Sequence, residues 1–393
     1  MFNQFNATFA SGLIYIWRNM KIAVLTLTLH TNYGGILQAY ALQTILERMG
    51  HEVEVLNRPF KPSKTKWSQI PKRVIKKILG HDVIIFSEKR FYREAPTINH
   101  HIWEFRKKYI HERLVNSLAE LKESDYDCIV VGSDQVWRPR YFKEQWQTGI
   151  EDAFLAFTKG WRIKRIAYAV SFGVDSWEYT NEETEKCREA IKMFDAISVR
   201  ELSGVKLLKD NLYANASYAV DPTLLLNKQD YYSLFADRIC KTSPNMLLVY
   251  ILDKNNRNNA LVNKIAQETG LTPLAINHFF VKKTDTVDKR VLPPIESWLK
   301  GFDEAKLVIT DSFHASVFSL IFDKPLVIIS NKERGNARIN DLLDFLGNSI
   351  SHLDGIKIYN DRCSSAGYNA QMKVLNLKRK QSFIYLSDSV SNI

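Results

Sequence analysis

"KIAVLTLTLHTNYGGILQAYALQTILERMGHEVEVL" spans residues 21–56. Its first ten residues are apolar and β-branched, the pattern of a buried strand. Ile36, Leu37, Tyr40, Ala41, Ile45 and Leu46 then recur at helical spacing, and Gly50 marks the helix end. "EVEVL" is a second strand. Strand, helix and strand in that order make a β-α-β unit, the opening of a Rossmann-like domain with a parallel sheet.

The alternation continues outward. "DCIVVGSDQVW" (127–137) and "RIAYAVSFG" (165–173) read as buried strands with exit loops. Residues 182–193 read as a helix, "AISVRELSGVKLLKD" (196–210) as strand, turn and helix, and "YAVDPTLLL" (218–226) as a short strand and loop. The pattern restarts at "NMLLVYIL" (245–252), followed by a helix ending at Gly270 and the strand "TPLAIN". A helix over 294–304, the strand "LVIT", the helix "FHASVFSLIF", the strand "PLVIIS" and the helix "INDLLDFLG" come next. A terminal helix is expected from about Tyr368. The expected fold is α/β, with two Rossmann-like domains facing a cleft and a C-terminal helix. An N-terminal α/β domain over 20–235 precedes a C-terminal α/β domain over 236–393, the boundary lying between Leu226 and Asn245.

Residues 1–19 are expected to be a loose tail, with Met20 beginning the folded part. Phe9 to Trp17 is too short to span a bilayer, and no basic region precedes it as in a signal peptide. The four cysteines, Cys128, Cys187, Cys240 and Cys363, form no C-x-x-C pair and sit in no zinc-like His/Cys cluster. A reduced, cytoplasmic protein follows.

The net charge of +11 is concentrated. Between Arg58 and Glu94, eleven Lys or Arg face three acids, a local excess of +8. Within that segment Trp67, Ile70, Val74, Ile75, Ile78 and Leu79 recur at helical spacing, with Lys72, Arg73, Lys76 and Lys77 between them. Such a helix either packs on the core with a solvated basic face or lies on an anionic membrane surface. No nucleic-acid partner is expected, because the aromatics form no stacking platform and no binding motif appears.

In open parallel sheets, ligands bind outside the carboxyl ends of the strands. Four strand exits therefore hold the candidates. Asn32, Gly34 and Gly35 follow the first strand, where glycines allow close approach and a helix N-terminus offers N–H groups to an anion. Asp134 follows the strand at 127–131. Arg200, with its bidentate fork, follows the strand at 196–199. Asp311, Ser312 and His314 stand where "LVIT" turns into a helix. An imidazole there suits proton transfer near neutral pH. No P-loop, G-x-S-x-G or H-E-x-x-H motif appears.

The ordered set "NYGGILQAYALQ" (32–43), "DCIVVGSDQVW", "AYAVSFG" (167–173), "SVRELSG" (198–204), "AVDPTLLL" (219–226) and "ITDSFHASVFSLIFDKPLVII" (309–329) resembles the polysaccharide pyruvyl transferase family. The resemblance implies a GT-B-like fold and transfer of pyruvate from phosphoenolpyruvate to a sugar of a surface polysaccharide or its lipid-linked precursor, as a ketal. It implies that Arg200 and His314 belong to the phosphoenolpyruvate site, with Asp311 or Asp134 as the base that orients a hydroxyl. Phosphoenolpyruvate enters as co-substrate, and no metal or other cofactor is expected. Many members read S/T-x-R-L-H-G where this chain reads Thr310-Asp311-Ser312-Phe313-His314-Ala315. The missing arginine is expected to be replaced by Lys332, Arg334 or Arg338 from the next strand-end loop. The acceptor is expected over Asn32, Gly34, Gly35 and Asp134, and the donor over Arg200, Ser312, Arg334 and Arg338. A lipid-linked acceptor would place the protein peripherally on the inner membrane face. Two alternatives stay open: a nucleotide-sugar glycosyltransferase on the same fold, and a non-catalytic relative that has lost the donor site.

Overall fold

A computed structural model describes residues 19–59, 67–81, 83–236, 245–253, 255–277, 281–282, 284–329, 339, 341–342, 350–353, 356–359 and 365–391. The first sheet has seven strands: β1 (Lys21–Leu25), β2 (Glu52–Asn57), β3 (Glu112–Leu114), β4 (Cys128–Val131), β5 (Lys164–Val170), β6 (Ala196–Val199) and β7 (Ser217–Tyr218). Their order is β3-β2-β1-β4-β5-β6-β7, and every pairing is parallel. Ile22 to Leu25 are wholly buried, as a central strand covered on both faces requires. Among the described residues, eight α-helices belong to this half: α1 (Tyr33–Arg48), α2 (Ile70–Ile78), α3 (Ser87–Ile98), α4 (His100–Tyr109), α5 (Pro139–Trp146), α6 (Asn181–Ile191), α7 (Leu202–Leu207) and α8 (Lys228–Tyr232).

The second sheet contains β8 (Met246–Tyr250), β9 (Thr272–Ala275), β10 (Leu307–Thr310), β11 (Leu326–Ile329), β12 (Ile350–Leu353) and β13 (Ile356–Tyr359). Its order is β12-β13-β11-β10-β8-β9. The four strands β11-β10-β8-β9 are parallel, and β13 and β12 extend them antiparallel. Helices α9 (Asn256–Thr269), α10 (Ile295–Glu304) and α11 (Phe313–Ile321) cover it.

The structure departs locally from the sequence reading. The first strand ends at Leu25 rather than His30. Beyond it, the Thr26 hydroxyl donates to the Ser133 carbonyl at 3.0 Å. The Thr28 N–H and hydroxyl both reach Gln145 Oε1, at 2.9 and 2.8 Å, so side-chain bonds replace the ladder. The basic segment holds two separate helices, α2 and the start of α3, and β3 adds an unforeseen edge strand. The β12–β13 pair was also unforeseen. The helix expected at "INDLLDFLG" lies largely outside the described residues, as do residues 1–18 and Lys332, Arg334 and Arg338.

The two halves share one apolar cluster, which runs from α1 and β1 through Tyr231, Trp298 and Phe318 to Leu386 and Val390. Tyr33, at the start of α1, is the main peg. Its ring stacks on Trp298 with centroids 5.8 Å apart and planes within 7°. It meets Tyr250 edge-on at 6.4 Å, and its hydroxyl donates to the Pro293 carbonyl at 2.6 Å. The C-terminal helix, Ser365–Ser391, ties the same junction. Val220 N–H donates to Ser382 Oγ at 2.9 Å, and Arg379 Nη2 donates to the Leu226 carbonyl at 2.8 Å.

Tyr33→Ala removes the stacked ring from this junction. By analogy with large-to-small changes in cores, it should cost about 3–5 kcal/mol. Urea denaturation checks this, and an unchanged midpoint would mean that the ring carries none of the inter-domain packing.

Candidate active site

Three strand exits of the first sheet converge on one from the second. Asp134 follows β4, Arg200 follows β6, Asp221 follows β7, and His314 stands in the first turn of α11 after β10. Asp134 adopts φ 62°, in the left-handed region that Asp tolerates better than most residues, and its carbonyl accepts from Ser171 N–H at 3.0 Å. That turn points its carboxylate inward. Arg200 Nη2 donates to Asp134 Oδ1 at 2.8 Å, and Nη1 donates to Asp221 Oδ2. Asp221 Oδ1 accepts from the Thr223 N–H at 3.0 Å and from the Thr223 hydroxyl at 2.7 Å. His314 Nε2 lies 3.6 Å from Asp221 Oδ2.

These groups are buried: the side chains of Arg200 and Asp221 are 1% and 0% exposed. Burial pushes the Asp221 carboxyl up, but the facing His314 and Arg200 outweigh it and hold the carboxyl well below the usual range. For Arg200, burial works against the charge, and Asp221 and Asp134 more than offset it, so the guanidinium stays charged. Its guanidinium carbon sits 4.6 Å from the Phe313 ring centroid. Arg200 Nε and His314 Nε2 are buried with no hydrogen-bond partner among the described residues.

His314, the one member from the second half, also rests on Gly34 of the first. A Cβ at Gly34 would lie 2.3 Å from His314 Cγ and Nδ1, so the ring rests directly on the glycine. Close approach was expected there, and the group that approaches is the histidine.

The remaining candidates take distinct places. Both Asp311 oxygens hold the loop after β8: Oδ1 accepts from Leu252 N–H at 2.7 Å and Oδ2 from Asp253 N–H at 2.9 Å. Ser312 caps α11, its hydroxyl accepting from Ala315 N–H at 3.5 Å. Asn32 is exposed at the start of α1, and its side chain makes no capping bond. Asn32, Gly35 and Asp134 line one cavity of about 600 Å³ together with His30, Gln38, Arg58 and Phe91. A neighbouring cavity of about 850 Å³ shares His30, Arg58 and Phe91 and adds Tyr92, Trp103 and Lys107. Burial, helped by Arg106 and opposed by Glu112, lowers His30 to about 4, so it faces both cavities as a neutral imidazole at pH 7. Asp134 therefore joins the cavity to the buried cluster. A third cavity, about 540 Å³ and lined by Met20, Lys21, Asp127 and Lys164, lies at the opposite ends of the strands.

Asp221 and His30 were not singled out from the sequence. Asp221 carried a signal: an acid directly after a short strand and before Pro-Thr caps its own turn with one oxygen and leaves the other for the site.

The family model described as polysaccharide pyruvyl transferase matches residues 32–333. No curated protein sequence matches the chain. Among solved structures, Arabidopsis thaliana UGT89C1 complexed with UDP-L-rhamnose aligns with a TM-score of 0.50 at 11% identity, over 95% of this chain and 99% of that one. An alpha-glucosyltransferase in complex with UDP aligns with a TM-score of 0.44 at 8% identity, over 94% of this chain and 95% of that one. The likeness to UGT89C1 is one of fold, the two facing α/β domains of the GT-B type.

Two variants test the cluster. Gly34→Ala drives a methyl into the His314 ring, and a displacement of about 1 Å should reduce turnover about 10²-fold. Steady-state kinetics alongside a melting curve separate that from unfolding, and normal kinetics would show that the contact is dispensable. Asp221→Asn breaks the buried ion pair with Arg200 and should cost about 3–5 kcal/mol. Because the folded carboxyl titrates below its ordinary 3.8, its contribution is complete above that value and fades as the pH falls below it. Urea titrations of both proteins across that range should show the gap closing only on the acid side.

Proposed function

The chain belongs to the polysaccharide pyruvyl transferase family, and from that premise we propose that it moves pyruvate from phosphoenolpyruvate onto two hydroxyls of a sugar, closing a ketal. The sugar belongs to a surface polysaccharide or its lipid-linked precursor. The observation that carries this reading is His314, which faces a buried carboxylate and rests on the opposite domain at the meeting of four strand exits.

The reaction needs an acid, a holder for anions and a base. Proton transfer to the methylene carbon of phosphoenolpyruvate turns it into a methyl group and makes C2 electrophilic. A sugar hydroxyl adds to C2 and loses its proton. Phosphate then leaves with the C–O bonding pair, and a second hydroxyl adds, loses its proton and completes the ketal. The products are the ketal and inorganic phosphate.

His314 is the acid in this reading, its ring oriented by Asp221. The base role goes to Asp134 rather than Asp311. Asp134 borders the cavity, whereas both Asp311 oxygens hold backbone N–H groups. Arg200 is neutralised by two carboxylates, so it has no net positive charge to offer an anion. Donor holding is therefore assigned first to the N-terminus of α11 and Ser312, with Arg334 and Arg338 as the added cations. The acceptor lies along the cavity that borders Asn32, Gly35 and Asp134, and Gly34 supports the histidine from beneath.

The decisive experiment follows phosphate release from phosphoenolpyruvate with candidate sugars. His314→Gln should leave the melting curve unchanged and lower kcat by about 10²–10⁴. If folded His314→Gln protein turned over at a near wild-type rate, the acid would have to be another group.

A further inference from the structure

Helix α2 sits on the protein without burying a single residue. At about 100° per residue, Ile70, Pro71, Val74, Ile75, Ile78 and Leu79 occupy one half of its circumference. Lys72, Arg73, Lys76 and Lys77 occupy the other. An apolar half of this kind normally faces a core, yet here Ile75, Ile78 and Leu79 are 58%, 79% and 68% exposed. Trp67, in the turn before the helix, is 81% exposed.

What holds α2 in place is polar. Arg73 Nη1 and Nη2 donate to the Glu88 carboxylate at 2.8 and 2.7 Å, and Nη1 also donates to the Ile85 carbonyl at 3.0 Å. This staple fixes α2 against the start of α3 and leaves the apolar half uncovered. The helix contains no acid, and among the described residues no acid pairs with Lys72, Lys76 or Lys77.

We propose that α2, with Trp67, docks on an anionic lipid bilayer. Its apolar half enters the interface, Trp67 settles at headgroup level, and the three lysines lie along the phosphate plane with their alkyl stems on the apolar boundary. Positive charge beside uncovered apolar surface selects this occupant over a second copy of the chain, because two copies would bring six lysines together. The staple gives the docking a consequence. It ties α2 to α3, and α3 carries Phe91 into the wall of both cavities. A docked protein therefore presents its cavities close to the membrane, where a sugar on a lipid carrier is found. The docking itself stands apart from the pyruvyl transfer reading.

The test uses the full chain and sedimentation with vesicles of phosphatidylcholine, with or without phosphatidylglycerol. Binding should appear only with phosphatidylglycerol and weaken as salt is added. Lys72→Gln, Lys76→Gln and Lys77→Gln together should lower the partition coefficient roughly 10²-fold, on about fivefold per lysine. Ile75→Ser, Ile78→Ser and Leu79→Ser together should also release the protein. Both triple variants alter exposed side chains, so their melting curves and their phosphate release with a soluble sugar should match wild type. No binding to anionic vesicles, equal binding to neutral ones, or binding indifferent to the lysines would overturn the proposal. So would a wild-type dimer that the serine variant dissolves in the absence of lipid. Failure of phosphate release with intact vesicle binding would count against the transferase reading alone.

Discussion

Position 34 has no side chain, and the closure of the two sheets on one another depends on that. A methyl group there would overlap the imidazole of His314, which approaches to well within van der Waals contact of any Cβ. Tyr33, the preceding residue, supplies the attraction by stacking on Trp298 of the other half. Two neighbouring residues thus set the separation of the domains: one pulls and the other makes room. The loop at 26–32 joins β1 to α1, and through the Thr26 bond to the Ser133 carbonyl it lies against the exit that carries Asp134.

The strand exits form a continuous chain of charges from the cavity to the histidine: Asp134, Arg200, Asp221, His314. Each link depends on the others, because removing one group leaves its neighbour charged and buried. A buried ion cluster is weak evidence for stability, since well-packed apolar residues of similar volume often serve as well. Its location is the better guide to its purpose. It occupies the carboxyl ends of parallel strands, the place where sheets of this kind bind ligands.

Much of this was legible in the sequence. Hydrophobic periodicity separated strand from helix in both halves, because buried parallel strands carry near-continuous apolar runs and their covering helices a 3.6-residue stripe. His314, Arg200 and Asp134 stood out as polar residues directly after such runs. What escaped notice depended on contacts between residues distant in sequence. Asp221 acquires its role from His314 in the other domain, and no local pattern announces that. Arg200 and Asp311 were read for their chemistry in isolation, whereas each is already engaged, one by carboxylates and the other by backbone N–H groups. The end of β1 at Leu25 likewise turns on Gln145, in a distant helix. The β12–β13 pair, by contrast, did carry a local signal. In sequence, Asp354-Gly355 stands between two short segments that mix apolar and polar residues, and Asp-Gly is a dipeptide favoured in two-residue hairpins.

The engagement of Arg200 also bears on where a multiply charged donor can lie. Two carboxylates oppose one guanidinium, so the described cluster has no surplus positive charge. Phosphoenolpyruvate brings a phosphate and a carboxylate, and both need compensation once water is excluded. The N-terminus of α11 offers only a partial charge, equivalent to about half an elementary unit. The proposed reaction therefore needs further cations. Lys332, Arg334 and Arg338 follow β11 in sequence, just as His314 follows β10 and Arg200 follows β6. The proposed pyruvyl transfer therefore assigns the missing charge to these three residues.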